Sequence, residues 1–189
     1  MAVDVIGLIT ADHRDIEALF ERIRETPENR PALVAELAAK FVAHSRAEEE
    51  KVYPVLAKKD PSEKKEVHHG AEEHHEAEEI LSRLIAADPD GPDFDGPFQE
   101  LVGAITHHVE EEESEVLPAL AKALPPRRLA EMGREFSERK ARELSGPTRP
   151  AGRSKEELLQ EAEKEGVQGR SQMTKEQLIT AIKEKKSAA

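Results

Sequence analysis

His44-Ser45-Arg46-Ala47-Glu48-Glu49-Glu50-Lys51-Val52-Tyr53-Pro54-Val55-Leu56-Ala57-Lys58 returns at a constant offset of 64 as His108-Val109-Glu110-Glu111-Glu112-Glu113-Ser114-Glu115-Val116-Leu117-Pro118-Ala119-Leu120-Ala121-Lys122. In each copy a His is followed four residues later by a Glu, so the two side chains share one face of a helix. Each pair also interrupts an apolar stripe at helical spacing. The first stripe is Val34, Leu37, Phe41, His44, Glu48, Val52, Val55, and the second is Phe98, Leu101, Ile105, His108, Glu112, Val116. Polar groups facing a core cost free energy unless they are bonded there. A cation held between them is the simplest way to satisfy both pairs.

Two further stripes complete the pattern. One runs Ile6, Ile9, His13, Ile16, Phe20, Ile23, and the other runs Val67, Gly70, His74, Ala77, Leu81, Leu84. Their surroundings repeat too: Asp12-His13-Arg14-Asp15 aligns with Glu73-His74-His75-Glu76 at an offset of 61. The repeats select His74 over His75, His108 over His107 and Glu112 over Glu111. Thr26-Pro27, Pro31, Asp60-Pro61 and Asp88-Pro89-Asp90-Gly91-Pro92 punctuate the stripes. We therefore expect an all-α fold over residues 1–125, an antiparallel up-down-up-down four-helix bundle of two related hairpins. Residues 126–144 read as an additional polar helix lying on it. Residues 145–153, rich in Pro and Gly, read as a linker, and 154–189 as a small helix–extended loop–helix module.

The expected metal ligands are His13, His44, Glu48, His74, His108 and Glu112. The chain has no cysteine, which excludes disulfides, thiol catalysis and thiolate metal sites. Imidazole with carboxylate suits iron, manganese or zinc. Two carboxylates on facing helices suit a bridged di-iron centre best. Each ligating imidazole needs its second nitrogen anchored, for which Asp12, Asp15, Glu73 and Glu76 are candidates. His68, His69, His75 and His107 fall off the stripes and read as surface or supporting residues. Tyr53 could approach the metals at the end of the second stripe, but its phase is poor and packing beside Pro54 is the favoured reading. No apolar run approaches the roughly 20 residues needed to cross a bilayer, and the acidic N-terminus lacks a signal peptide's basic region. A cytoplasmic location without membrane contact is expected.

At these positions the chain resembles the hemerythrin-like, HHE cation-binding family. The resemblance covers about residues 1–125. It implies a non-haem di-iron centre, oxo- or hydroxo-bridged, carried by Glu48 and Glu112, with manganese or zinc as alternatives. The small ligand it implies is dioxygen, hydrogen peroxide or nitric oxide, for binding, sensing or detoxification; a catalase-like peroxide-decomposing enzyme and an iron store are the alternative functions. One departure matters. Oxygen-carrying members have a further His one turn before the third-helix ligand, and here that position is Gly70. This favours sensing or peroxide chemistry over simple oxygen carriage, with room for a small ligand expected beside the missing side chain.

The net charge of −12 is uneven: from Ser145 onward nine Lys/Arg face seven Glu, leaving −14 on the first 144 residues. The acidic part excludes nucleic-acid binding there, whereas the tail permits it. Ser154-Lys155-Glu156-Glu157 and Thr174-Lys175-Glu176-Gln177 each read as a capping box opening a helix. Together with Gly166-Val167-Gln168-Gly169 between them, they resemble the SAP-like and Rho-termination-factor N-terminal modules. That resemblance implies nucleic-acid binding, with DNA as the expected partner and Arg170, Lys175, Lys183, Lys185 and Lys186 as the expected phosphate contacts; a protein-docking module or a solubilising helical tail is the alternative. Leu158, Leu159, Ala162, Val167, Leu178 and Ile182 would form the module's core.

Overall fold

Asp4 opens the first helix by accepting the Gly7 N–H at 3.0 Å, satisfying one of the donors that a helix start leaves unpaired. The computed structural model describes residues 4–146 and 155–187, and all regular structure among them is helical. Two compact units divide the chain, Met1–Ala151 and Gly152–Ala189. Most of the expected linker, and Ser154, lie outside the described residues.

In the first unit, α1 (Val5–Glu25), α2 (Arg30–Lys51), α3 (Tyr53–Lys59), α4 (Lys64–Ala86), α5 (Asp95–Glu111), α6 (Leu117–Ala123) and α7 (Pro126–Ser145) follow in order. Helices α1 and α2 pack together, as do α4 and α5, and α2 lies against α4. Prolines start several of them: Pro31 in α2, Pro54 in α3, Pro118 in α6 and Pro126 in α7 lie in the first helical turn, where a missing N–H costs nothing.

The stripes expected to run unbroken through Val55 and Val116 are interrupted. Pro54 has no N–H, and its ring crowds the carbonyl four residues back. Helix α2 therefore ends at Lys51, and Val52 (φ −107°, ψ −61°) turns the chain into α3. Pro118 imposes the same constraint on the second copy, where the chain widens instead. Residues Glu112–Val116 form a π turn, and the Leu117 N–H reaches the Glu112 carbonyl five residues back.

The core is split in two. One apolar cluster holds Ile16, Phe20, Leu37, Phe41, Leu81, Phe98 and Ile105; the other holds Val5, Ile9, Val52, Tyr53, Leu56, Val67, Val116 and Phe136. On each of the four stripe helices, the His or His/Glu positions fall between residues of the first cluster and residues of the second. A buried polar layer thus crosses the unit. Helix α7 is more than a polar cover: Leu129, Met132 and Phe136 are buried against α1 and α2.

In the second unit, α8 (Lys155–Lys164) and α9 (Lys175–Ser187) enclose a core of Leu158, Ala162, Val167, Leu178 and Ile182. Gly166 and Gly169 adopt left-handed φ of 67° and 72°, which other residues rarely take. The Thr174 capping box is formed: Gln177 N–H donates to Thr174 Oγ1, and Thr174 N–H donates to Gln177 Oε1 at 2.8 Å.

Candidate metal centre

His13, His44, Glu48, His74, His108 and Glu112 are all buried, none more than 4 % exposed. Their inner atoms converge. His44 Nε2 lies 3.1 Å and His74 Nε2 3.3 Å from the same Glu48 oxygen, while His13 Nε2 is 3.2 Å from Glu112 Oε2. His74 and His108 meet through their Nε2 atoms at 3.0 Å. Two overlapping donor sets result, His44/Glu48/His74/His108 and His13/His44/Glu48/Glu112, each with ligand atoms within 4.8 Å of one another. Both sets contain His44 and Glu48.

The His44–Glu48 and His13–Glu112 contacts are not hydrogen bonds. His13 Nε2, His44 Nε2, both Glu48 oxygens and Glu112 Oε2 are buried without a hydrogen-bond partner, although ion-pair distances separate them. Five such atoms pointing at one another are too costly to leave unexplained in a core. All are nitrogen or oxygen donors of the kind that divalent and trivalent metals take, so the set fits a cation.

Every outer nitrogen is anchored. Nδ1 of His13 pairs with Glu113 at 2.8 Å, that of His44 with Asp12 at 3.2 Å, that of His74 with Glu49 at 3.2 Å, and that of His108 with Glu73 at 2.9 Å. A carboxylate on Nδ1 orients the ring and turns Nε2 inward, the arrangement that holds metal-binding imidazoles. Cations back the acids in turn: Arg14 holds Glu113, Lys140 of α7 holds Asp12, and Arg46 joins Glu49 to the buried Glu78.

Asp12 and Glu73 are thus anchors, as the sequence suggested. Asp15 instead pairs with Lys40 at the surface and Glu76 is exposed, so neither reaches a ligand ring. Glu49, Glu113 and Glu78 were missed. A signal for the first two existed: each follows its ligand Glu, at the 64-residue offset of the repeat. Glu78 left no local mark, because its partner Arg46 comes from another helix.

Without a cation the electrostatics are self-compensating. Burial pulls the His44 imidazolium down, but the charges of Glu48 and Glu112 and the hydrogen bond His44 donates to Asp12 outweigh it and raise its pKa to about 10. Burial likewise opposes His74, which the adjacent Glu48 carboxylate and the hydrogen bond it donates to Glu49 carry up to about 9. His108 goes the other way: burial and the neighbouring His74 charge lower it.

Tyr53 corrects the sequence reading. It is 4 % exposed, its hydroxyl donates to Glu112 Oε1 at 3.2 Å, and its ring stacks on His74 at 5.8 Å. A Cβ placed on Gly70 would lie 2.9 Å from the Tyr53 hydroxyl oxygen. The space expected to be open beside Gly70 is therefore filled by the phenol. A narrow crevice of about 10 Å³, lined by Tyr53, Gly70, His108 and Glu112 together with surface acids, reaches this edge of the cluster.

This helical scaffold with a buried His/Glu layer is the architecture of a cation-binding domain. The hemerythrin HHE cation-binding domain family matches residues 4–120, and the chain belongs to that family. A solved structure of a hemerythrin HHE cation-binding-domain protein from Mycobacterium kansasii shares the fold, with a TM-score of 0.68 at 22 % identity over 95 % of this chain and 99 % of that one. A DNA nickase from Nostoc sp. is 24 % identical over 156 residues, covering 79 % of this chain. The chain spans only 44 % of that relative's length.

In the tail, expected phosphate contacts also have partners within the module. Arg170 donates to Glu163 at 2.6 Å, and Lys186 pairs with Glu161 at 3.0 Å. Among the described residues, no helix is long and apolar enough to cross a membrane.

Proposed function

We propose that the buried layer holds two iron ions in an antiparallel hemerythrin-type bundle and that the protein binds, senses or detoxifies dioxygen, peroxide or nitric oxide. The observation carrying this reading is the pair of overlapping donor sets that share His44 and Glu48, with buried donor atoms left unpaired between them. Sharing of a carboxylate is what a two-metal site requires of Glu48, and Glu112 takes the matching place in the repeat. Four imidazoles and no thiolate favour iron, with manganese or zinc as substitutes. Bound iron supplies a reversible change of oxidation state and an affinity for small oxygen or nitrogen ligands.

The chain's own groups do the rest. The four carboxylates on Nδ1 keep the Nε2 lone pairs directed inward. Tyr53 holds Glu112 by its hydroxyl and, with His108 and Glu112, lines the crevice through which a small ligand would approach. The two apolar clusters exclude water from both sides of the layer. Metal analysis and an optical spectrum of the purified protein test the proposal: about two irons per chain are expected, lost together in a His44→Ala/Glu112→Ala variant. Zinc or manganese at full occupancy in protein purified from iron-replete cells would overturn it. Sustained oxygen release from peroxide would identify a catalase-like enzyme, a stoichiometric spectral change a sensor, and loading far beyond two irons a store.

For the tail, we read residues 155–187 as a weak DNA-binding module in the SAP-like or Rho-N-like manner, with Arg170, Lys175, Lys183, Lys185 and Lys186 as phosphate contacts. The similarity to a protein named as a DNA nickase supports an association with DNA. Charge reversal at Lys175 and Lys185 is expected to abolish retention on DNA at low salt, leaving the optical spectrum unchanged. Retention unaffected by the reversal would remove this assignment.

A further inference from the structure

Outside the buried layer, a second set of imidazoles and carboxylates gathers on the faces of α4 and α5. His69 and Glu73 are four residues apart on α4, and His107 and Glu111 are four apart on α5. Each pair therefore presents a nitrogen and a carboxylate on one helical face. The pairs interlock: His69 Nε2 is 3.7 Å from Glu73 Oε1 and 3.5 Å from Glu111 Oε2, while His107 Nε2 is 3.8 Å from Glu73 Oε1 and 3.3 Å from Glu111 Oε1. His69, Glu73 and Glu111 offer ligand atoms within 4.8 Å of one another. At 3.3 to 3.8 Å these contacts are long for hydrogen bonds. They suit a shared cation better, since four ligands at 2.0–2.1 Å from a tetrahedral metal stand about 3.3 Å apart.

We infer that His69, Glu73 and Glu111 form a second, solvent-exposed site for a divalent cation of the zinc or iron(II) kind, with His107 at its rim against both acids. An imidazole nitrogen with two carboxylates is a donor set such ions accept, solvent completing the coordination. Glu66 and Glu115 line the same crevice and add negative charge near its mouth. The site is wired to the buried layer through one residue: Glu73 turns Oε1 to the surface cluster and accepts from His108 Nδ1 through Oε2 at 2.9 Å. A cation drawing on Glu73 weakens its hold on the His108 ring. The crevice also opens between the two clusters, which makes the outer one a capture point for ions on their way inward.

The test titrates zinc alone into metal-free, full-length protein, with calorimetry for stoichiometry and ring nitrogen-15 spectra for the histidines. Wild type is expected to take up one weak equivalent beyond its tight ones, moving the Nε2 signals of His69 and His107 and the Nδ1 signal of His108. The His69→Ala/His107→Ala variant is expected to lose that equivalent and keep the tight ones; both residues are about half exposed or more, so folding is not at stake. A His44→Ala/Glu48→Ala variant is expected to lose tight binding and keep the weak equivalent, which separates this site from the buried one. Equal stoichiometry in wild type and the His69→Ala/His107→Ala variant, with the two surface rings unmoved, would overturn the inference.

Discussion

Glu48 is completely buried between His44 and His74 and accepts charge from both, so it is the residue on which the metal-free protein balances. Burial raises its pKa, but the two imidazoles lower it well below the ordinary 4.5. A depressed carboxylate contributes stability above its unfolded value, lost as pH falls through the folded one. The raised His44 and His74 act at the other end: their contribution is complete below 6.5 and disappears as pH rises through about 9 and about 10. His108, lowered, opposes them below 6.5, one group against two. The chelator-treated protein is therefore expected to melt highest between pH 4.5 and 6.5 and to lose stability steadily toward pH 10. Glu48→Gln should flatten the alkaline arm. A melting temperature independent of pH across that range would refute the balance. Gly70 gives a second test at this scale. Helix propensity favours Ala over Gly by about 1 kcal/mol, but forcing a methyl against the Tyr53 hydroxyl costs about 1–3 kcal/mol. Gly70→Ala should thus destabilise wild type and stabilise a Tyr53→Ala background, a change of sign measurable by denaturant unfolding.

At the scale of elements, the four ligand-bearing helices were legible because helical phase is local. Apolar residues at steps of three and four, with His13, His44, His74 and His108 in register, need no knowledge of the neighbours. Where a proline broke the phase, legibility ended. Tyr53 lies on the wrong face of a continuous helix, and only the turn at Val52 brings it to Glu112. The same proline in the second copy gave a π turn and placed Leu117 at the matching position. Helix α7 was read as a cover, yet its Phe136 ring packs on His44 at 6.0 Å and its Lys140 holds Asp12. Anchoring groups of this kind are worth about ten- to a hundredfold in metal affinity. Lys140→Met is expected to weaken metal binding by that factor in competition with a chelator. Lys40→Met, which removes only the surface partner of Asp15, should leave it unchanged. Equal affinities for the two variants would show that α7 merely packs.

The whole first unit is organised by one decision, the interruption of a single apolar core by a charged layer. Two apolar clusters, each too small to span the bundle, are joined across buried His and Glu side chains whose donor atoms lack partners. Cations binding only the folded state add stability with the logarithm of their excess over the dissociation constant, about 4 kcal/mol at a thousandfold excess. For a chain of this length that corresponds to roughly 10 °C in melting temperature. Metal removal is expected to lower the first unit's melting temperature by about that much, read by helical circular dichroism. Identical melts with and without chelator would mean that the layer is stable by its internal ion pairs alone.

The sequence by itself determined the helical class, the six side chains of the buried layer and the pairing of two related halves, because periodicity and repetition are written in the order of residues. It also contained, unread, the anchoring roles of Glu49 and Glu113 in that same repetition. Tertiary structure alone decided that Tyr53 fills the space left by Gly70, that Lys140 and Arg46 back the anchors, and that His69 and His107 meet across two helices. Those contacts join residues far apart in the chain. Their existence depends on the rotation and approach of whole helices, which no local pattern of side chains specifies.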